Sequence, residues 1–125
     1  MSVRKQKVVG TWGETYACNY LQIAGYKLLG RNYHSRYGEI DLIMYKDQTL
    51  VFVEVKTRTN NSFGPAEGSI TNHKLKALQD TIAVYLEEND AGSYPWQLDL
   101  IIIEKFDKSD QINLLHYENL GELSA

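Results

Sequence analysis

Two neighbouring stretches of the chain alternate in side-chain character with the two-residue period of a β-strand. In residues 39–44 the two faces of the predicted strand are Glu39, Asp41 and Ile43 against Ile40, Leu42 and Met44. In residues 50–56 the two faces are Val51, Val53 and Val55 against Phe52, Glu54 and Lys56. The pattern predicts two strands that carry charged residues inside otherwise apolar segments, an arrangement that costs stability.

A short polar segment between these strands predicts a β-hairpin. A turn centred on residues 47–48 pairs Tyr45 with Leu50, and counting outward sets Asp41 opposite Glu54. Residues that oppose each other directly have Cβ atoms only about 4.5–5.5 Å apart. Two carboxylates held that close repel each other unless a proton or a cation lies between them. The simplest cation to expect there is a divalent metal ion.

The first helix is predicted from the helical spacing of apolar side chains over residues 12–24, with the basic residues 4–10 leading into it. Gly25 is the predicted end of this helix. Gly13 lies within the apolar stripe, where glycine costs about 1 kcal/mol relative to alanine. We therefore expect the helix to approach the sheet closely at Gly13.

The position of Glu14 in the sequence is consistent with two roles. It lies at the edge of the apolar stripe, beside Leu21, from where it can reach toward the strands. It also follows Thr11 by three residues, which is the spacing of a capping box at a helix start. The residue spacing leaves both interpretations open.

The remaining pattern predicts a strand over residues 26–33, a polar basic connection, a loop over 57–68, a helix over 71–88, a strand over 96–104 and an edge strand over 111–117. Asp99 interrupts the fourth strand, either as a support for the metal ligands or as an acid facing the sheet edge. The order of helix, three strands, helix and two strands is consistent with an α/β fold, a mixed sheet covered by helices.

The chain has 125 residues, 43% of them hydrophobic, which fits one domain over residues 1–125 with a substantial core. No apolar run approaches the roughly 20 residues of a membrane helix, and the amino terminus lacks the apolar segment of a signal peptide. We expect a cytoplasmic protein that does not bind membranes. Cys18, the single cysteine, excludes an intrachain disulfide and a cysteine-based zinc cluster.

The net charge of −3 conceals an asymmetry. Residues 1–60 contain nine Lys and Arg against five Asp and Glu, whereas residues 61–125 contain four against eleven. The first half is therefore the one expected to bind a polyanion. The cations predicted to contact phosphate are Arg31, Arg36, Arg58 and Lys74. Solvated side chains are the competing interpretation for the loop arginines and for Lys74, whose charge is unfavourable at a helix start.

Asp41, followed by Glu54, Val55 and Lys56 at the end of the next strand, resembles the PD-(D/E)xK signature of the restriction-endonuclease-like superfamily. Further motifs resemble the YraN-like family of small bacterial proteins regarded as endonucleases. They are Trp12-Gly13-Glu14 with Ala17, Asn32-Tyr33, Gly38 to Ile43, Phe52 to Arg58 and Phe63-Gly64. That family is similar in fold to archaeal Holliday-junction resolvases, and the resemblance extends to about Leu86.

The resemblance implies a single restriction-endonuclease-like domain with a central mixed β-sheet flanked by helices, in the order α-β-β-β-α-β-β. It assigns Glu14 as a helix-borne catalytic acid, Asp41 and Glu54 as metal ligands, and Lys56 as the catalytic lysine. Magnesium prefers oxygen ligands and keeps several waters, so the two carboxylates and the Val55 carbonyl suit Mg²⁺, with Mn²⁺ as a substitute. The competing interpretation is a structural salt bridge to Lys56, but one lysine cannot neutralise several acids.

Three functions are consistent with these residues. The leading hypothesis is a metal-dependent endonuclease that hydrolyses DNA phosphodiester bonds, and the family resemblance adds a preference for branched or distorted DNA. The alternative is a non-catalytic nucleic-acid-binding or scaffold module that retains the nuclease fold. A hydrolase of small phosphorylated molecules is disfavoured, because no glycine-rich phosphate-binding loop is evident. The sequence leaves a homodimer open.

Overall fold

The computed structural model describes residues 3–59, 70–106 and 108–120, with side chains from residue 7 onward. Within these ranges, helices and strands follow one another as α1 (Val3–Ile23), β1 (Lys27–Ser35), β2 (Gly38–Lys46), β3 (Thr49–Thr59), α2 (Asn72–Glu88), β4 (Trp96–Lys105) and β5 (Ile112–Tyr117). This is the predicted order α-β-β-β-α-β-β. None of the described helices is long and apolar enough to cross a membrane.

The strands form one five-stranded sheet in the order β1-β2-β3-β4-β5. β1 pairs with β2, and β2 with β3, in antiparallel orientation, whereas β3 and β4 are parallel. β5 returns antiparallel to β4 and occupies one edge of the sheet. A parallel pair requires a crossover connection, and α2 lies in the segment that joins β3 to β4. The predicted mixed α/β fold is confirmed.

Each face of the sheet buries its own apolar core beneath one helix. The α2 core contains Ile40, Ile43, Leu50, Phe52, Leu98, Leu100 and Ile102 of the sheet, with Leu78, Ile82 and Leu86 of α2. The α1 core contains Leu42, Met44, Val51, Val53, Ile101 and Ile103, with Ala17, Cys18 and Leu21 of α1. Because both faces are covered, β4 is apolar on both sides rather than alternating with polar residues.

The first helix is longer than the spacing predicted. α1 begins at Val3, so the basic residues 4–10 belong to the helix and do not merely lead into it. Thr11 and Glu14 therefore lie in the helix interior, and the capping-box interpretation of Glu14 is wrong. α1 ends before Gly25, whose φ of 96° is a conformation that glycine adopts readily, and this helix end was predicted.

Gly13 brings α1 into direct contact with β3. A Cβ atom at this position would overlap the Thr57 hydroxyl, so any larger residue would push the helix off the strand. The predicted close approach is confirmed. It carries the adjacent residue, Glu14, to the end of the sheet where the charged strand residues lie.

The β2–β3 hairpin has the predicted register. Tyr45 pairs with Leu50, and the paired positions continue to Leu42 opposite Val53. The turn residues 47–48 have φ values of 51° and 62°, which is the left-handed conformation of a type I′ turn. A two-residue turn fixes the register of every following pair. The next positions along these strands are those of the predicted acid pair.

The predicted face alternation holds in β3 but not in β2. Val51 packs in the α1 core and Phe52 in the α2 core, as expected. Ile40, however, packs in the α2 core while Leu42 packs in the α1 core, so the prediction that they share a face is wrong. The break lies beside Asn32 of β1, which has a φ of 53° and interrupts the regular pleat.

The strands also extend beyond their predicted limits. Arg31 and His34 belong to β1 and not to a polar connection, and residues 36–37 alone separate β1 from β2. β3 continues through Thr59 into the predicted loop. The rest of that loop, residues 60–68, lies outside the described residues. Backbone pairing with neighbouring strands, which composition does not reveal, decides these limits.

Candidate functional site

Asp41 and Glu54 lie one position beyond the last paired residues of the β2–β3 hairpin. The Asp41 side chain is buried, and its Oδ2 accepts a hydrogen bond of 2.8 Å from the Val55 N–H. The bond fixes the carboxylate against β3. The hairpin therefore places the two predicted acids side by side at the point in the sheet where β2 and β3 stop pairing.

Glu54 is the less satisfied member of this acid pair. Its side chain is 13% exposed, and its Oε2 is buried without a hydrogen-bond partner. Lys74 Nζ, from the first turn of α2, lies 3.7 Å from that oxygen, which is too far for a hydrogen bond. The anion near Lys74 is therefore a protein carboxylate, whereas the sequence suggested phosphate or solvent.

The acid pair carries an electrostatic cost. Burial raises the pKa of Asp41 to about 8, and the charge of Glu54 and a hydrogen bond between the two carboxyls add to the effect. The hydrogen bond from the Val55 N–H acts in the opposite direction and lowers the pKa. At neutral pH the pair therefore retains a proton between its two carboxyls. Replacing that proton by a cation relieves the same repulsion.

Glu14 approaches the acid pair from α1. Burial and then the charge of Asp41 raise the pKa of the Glu14 carboxyl, while the Arg31 guanidinium lowers it. Arg31 Nη2 lies 3.8 Å from Glu14 Oε1 and donates a hydrogen bond of 3.2 Å to Thr15 Oγ1. Arg31, predicted to contact phosphate, is therefore already held against α1 beside the acids.

Two residues that the sequence did not place in the site adjoin it. When the Asn32 amide is oriented by its hydrogen bonds, its nitrogen lies 3.0 Å from both Glu14 Oε1 and Glu39 Oε1. Glu39 Oε1 is also 3.8 Å from His34 Nε2. The available sequence signal was the Asn32-Tyr33 motif of the family resemblance, but the motif alone gave Asn32 no role.

Lys56 lies two residues beyond Glu54 on β3 and is exposed. Strand periodicity places it on the face of Glu54, because the intervening Val55 packs toward the α1 core. An exposed ammonium group at this position is accessible to a phosphate group or to a water molecule beside the acids.

Two other predicted phosphate contacts have different surroundings. Arg36 is exposed in the β1–β2 turn, where its guanidinium carbon lies 4.8 Å from the Tyr37 ring centroid and its Nη2 donates to the Tyr37 hydroxyl at 2.6 Å. Arg58 is 7% exposed, and its Nη2 lies 2.9 Å from Glu104 Oε2. The Arg58 guanidinium therefore lies inside the protein and is paired with a glutamate, surroundings that do not favour the predicted phosphate contact.

Asp99 also has a role that neither sequence interpretation gave. It is completely buried on β4, which is not an edge strand. Its carboxylate accepts hydrogen bonds from Gln97 Nε2 at 2.9 Å, His116 Nε2 at 2.8 Å and the Asn119 N–H at 3.0 Å. Asp99 therefore joins β4 to β5 and to the chain that follows β5.

Among the described residues, Asp99, His116 and Glu118 are the only acids, histidines or cysteines that bring three ligand atoms within 4.8 Å of one another. The carboxylates of Glu14, Asp41 and Glu54 are not that close together. Because Asp99 is saturated by protein donors, its group is explained without an ion. The acid pair, in contrast, has an oxygen without any donor.

The fold and the site define a class: a small mixed α/β domain with a buried acid pair at one end of its sheet. The chain belongs to the uncharacterised protein family UPF0102, whose family model matches residues 13–103. The YraN-like family predicted from the motifs is thereby confirmed. The matched range contains the acids Glu14, Glu39, Asp41, Glu54 and Asp99, together with Asn32, Lys56 and Lys74.

Relatives from several bacteria belong to the same family. The chain is 45% identical over 91 residues to a UPF0102 protein of Herpetosiphon aurantiacus, covering 73% of each chain. It is 41% identical over 105 residues to one of Syntrophomonas wolfei, covering 84% of this chain and 91% of the relative. A Neisseria gonorrhoeae UPF0102 protein is 46% identical over 95 residues, covering 76% and 83%.

Proposed function

We propose that this protein is a divalent-metal-dependent endonuclease that hydrolyses DNA phosphodiester bonds, acting in the cytoplasm. Asp41, Glu54 and the Val55 carbonyl are the proposed metal ligands, and Mg²⁺ is the proposed ion, with Mn²⁺ as a substitute. Glu14 and Lys56 complete the proposed catalytic set. The resemblance to the restriction-endonuclease-like superfamily supports this assignment, and it also supports a preference for branched or distorted DNA.

The observation that carries the proposal is the buried acid pair with its unsatisfied oxygen. A buried carboxylate oxygen without a donor costs about 1–3 kcal/mol or more, and the repulsion from Asp41 adds to that cost. A protein selected only for stability would place an apolar pair here. The pair is understandable if a cation is bound between the carboxylates when the protein works.

The donor set fits magnesium. Two carboxylates and one backbone carbonyl are hard oxygen donors, and they leave positions for water and substrate phosphate around an octahedral ion. The ion would supply positive charge to the phosphate oxygens and would make water a better nucleophile at neutral pH. Lys74, 3.7 Å from Glu54 Oε2, is a weaker neutralising charge that a divalent ion can outcompete.

The chain's own residues supply the remaining functions in this proposal. Lys56 orients or deprotonates the attacking water and stabilises the charge that develops on the phosphate. Glu14 accepts a hydrogen bond from a water molecule in the site. Arg31 at the edge of the site, Arg36 in the β1–β2 turn and Lys74 on α2 attract the phosphate backbone.

The direct test measures cleavage of a panel of junction, flap, duplex and single-stranded DNA with Mg²⁺ or Mn²⁺. Cleavage in the wild type that disappears in Glu54→Gln supports the proposal, with Glu87→Gln on the exposed end of α2 as the matched control. Lys56→Ala should slow cleavage about 10²–10⁴-fold while changing DNA binding little. Exposed Lys108→Ala is its control. DNA binding without cleavage under every condition would favour the non-catalytic nucleic-acid-binding module.

A further inference from the structure

Asn32 interrupts a nine-residue strand with a backbone conformation that strands do not use. Its φ of 53° lies in the left-handed region, although its neighbours on both sides pair regularly with β2. Only a few per cent of non-glycine residues adopt this conformation, and asparagine is among those that tolerate it best. The position therefore favours glycine or asparagine for backbone reasons alone.

The unusual backbone reverses the faces of both strands of the β1–β2 hairpin. Arg31 pairs with Leu42, which packs in the α1 core, and Tyr33 pairs with Ile40, which packs in the α2 core. A regular strand would place both pairs on one face. The reversal occurs at Asn32 and brings Glu39, which precedes the break on β2, to the side where α1 lies.

The Asn32 side chain occupies the space that this reversal creates. Its amide nitrogen, with two N–H groups, lies 3.0 Å from Glu14 Oε1 and 3.0 Å from Glu39 Oε1. Two such contacts hold the carboxylate oxygens no more than about 6 Å apart, although the two residues belong to different elements. Arg31, the preceding residue, contacts the same Glu14 oxygen at 3.8 Å.

We infer that Asn32 is the positioning residue of the acid site: it joins Glu14 of α1 to Glu39 of β2 and so holds Glu14 in place beside Asp41. Glycine would satisfy the backbone but not the carboxylates. An alkyl residue would satisfy neither. Asparagine meets both requirements, whereas a break needed only for folding would be met by glycine. The inference rests on the proposed metal-dependent function.

The two requirements can be separated by substitution. Asn32→Gly keeps the left-handed backbone and removes the amide, whereas Asn32→Ala removes both. Asn119→Gly is the matched control, because Asn119 also has a positive φ, of 60°, and its contact is with Asp99 rather than with the acid pair. Asn119 contributes its backbone N–H, which glycine retains.

The first readout is Mn²⁺ binding by calorimetry, without DNA. Losing an outer hydrogen-bond partner of a metal site typically weakens metal binding 10–100-fold, and Asn32 acts on Glu14, which holds a water molecule in the proposed site. We expect a loss of that size for Asn32→Gly, an equal or larger loss for Asn32→Ala and wild-type affinity for Asn119→Gly. Wild-type affinity in Asn32→Gly would overturn the positioning role.

The second readout is a double-mutant cycle between Asn32→Gly and Glu14→Ala, measured by denaturant unfolding in a metal chelator. If the amide binds Glu14, the double variant loses less stability than the two single losses together. Additive losses would overturn the amide contact. A wild type that binds no Mn²⁺ would instead overturn the proposed function, and a non-additive cycle would then still support the contact itself.

Discussion

Two buried aspartates of the same sheet have opposite surroundings. Asp99 on β4 accepts hydrogen bonds from three protein groups, one on its own strand and two beyond β4. Asp41 on β2 accepts one, from Val55, and otherwise faces a second carboxylate whose Oε2 has no donor at all. Burial is similar at the two positions, so the difference lies in the donors.

The comparison separates a structural acid from a candidate functional one. A buried carboxylate with a full set of donors stabilises the arrangement of the groups that donate to it. A buried pair with too few donors is kept at a cost in stability, and such costs concentrate where a protein binds or reacts. The number of hydrogen-bond donors around a buried acid therefore identifies a functional site better than the number of acids nearby. Among the described residues, the closest group of potential metal ligands is that of Asp99, which has a structural role.

The largest expected effect comes from the same substitution at the two aspartates. Asp99→Asn replaces a charged acceptor of three hydrogen bonds by an amide whose NH₂ group faces one of the three donors unless His116 changes its tautomer, and it should cost about 3 kcal/mol of unfolding free energy. Asp41→Asn can keep the Val55 bond and donate to Glu54, so it should stabilise the metal-free protein at pH 8. Urea unfolding in a chelator measures both values. A destabilised Asp41→Asn variant would contradict the comparison.

A divalent ion should stabilise the protein through the acid pair and not through the Asp99 group, by nearly as much as the substitutions change the unfolding free energy. Ion at 100 times its dissociation constant should stabilise the wild type by about 2.7 kcal/mol through mass action. The response should disappear in Asp41→Asn and Glu54→Gln and should persist in His116→Gln, which alters the Asp99 group. Thermal unfolding over a Mg²⁺ series gives the measurement. Equal shifts in all four proteins would remove the acid pair as the metal site.

The change in stability per pH unit should be smaller, and its sign is definite. The pKa of Asp41 rises from 3.8 to about 8 on folding, so between these values the folded state holds a proton that the unfolded state has lost. Stability of the metal-free wild type should therefore fall as pH rises through this window, by at most about 1.4 kcal/mol per pH unit, and level off above pH 8.

Asp41→Asn should remove this decline between pH 5 and 9, whereas Lys27→Ala, at the far end of the sheet, should retain it. Denaturant midpoints at matched ionic strength report the slopes. Parallel slopes for wild type and Asp41→Asn would show that the proton is bound elsewhere.

The smallest effect concerns the cations around the acid pair. Arg36→Ala should lower the magnitude of the log–log salt slope of DNA binding by about one, because one phosphate contact is lost. Lys27→Ala serves as the control, since Lys27 lies at the opposite end of β1. Binding in Ca²⁺ over a salt series gives the slopes. An unchanged slope for Arg36→Ala would exclude the β1–β2 turn from the DNA path.

The sequence predicted the acid pair because its information is local. A two-residue turn between alternating strands sets the register, and the register sets Asp41 beside Glu54. The long-range partners of charged residues are not local. Arg58 was predicted to contact phosphate because the first half of the chain is basic, yet the parallel pairing of β3 with β4 sets it opposite Glu104, its ion-pair partner.

By itself, the sequence determined the order of the elements, the hairpin that carries the acids, the close approach of α1 at Gly13 and the family. Each follows from periodicity, turn chemistry or motifs over short spans. Only the tertiary structure decided which donors reach which acid: three for Asp99, none for Glu54 Oε2, and the Asn32 amide for Glu14 and Glu39. Hydrogen bonds act over about 3 Å, and residues far apart in the chain come that close only when strands pair and helices pack.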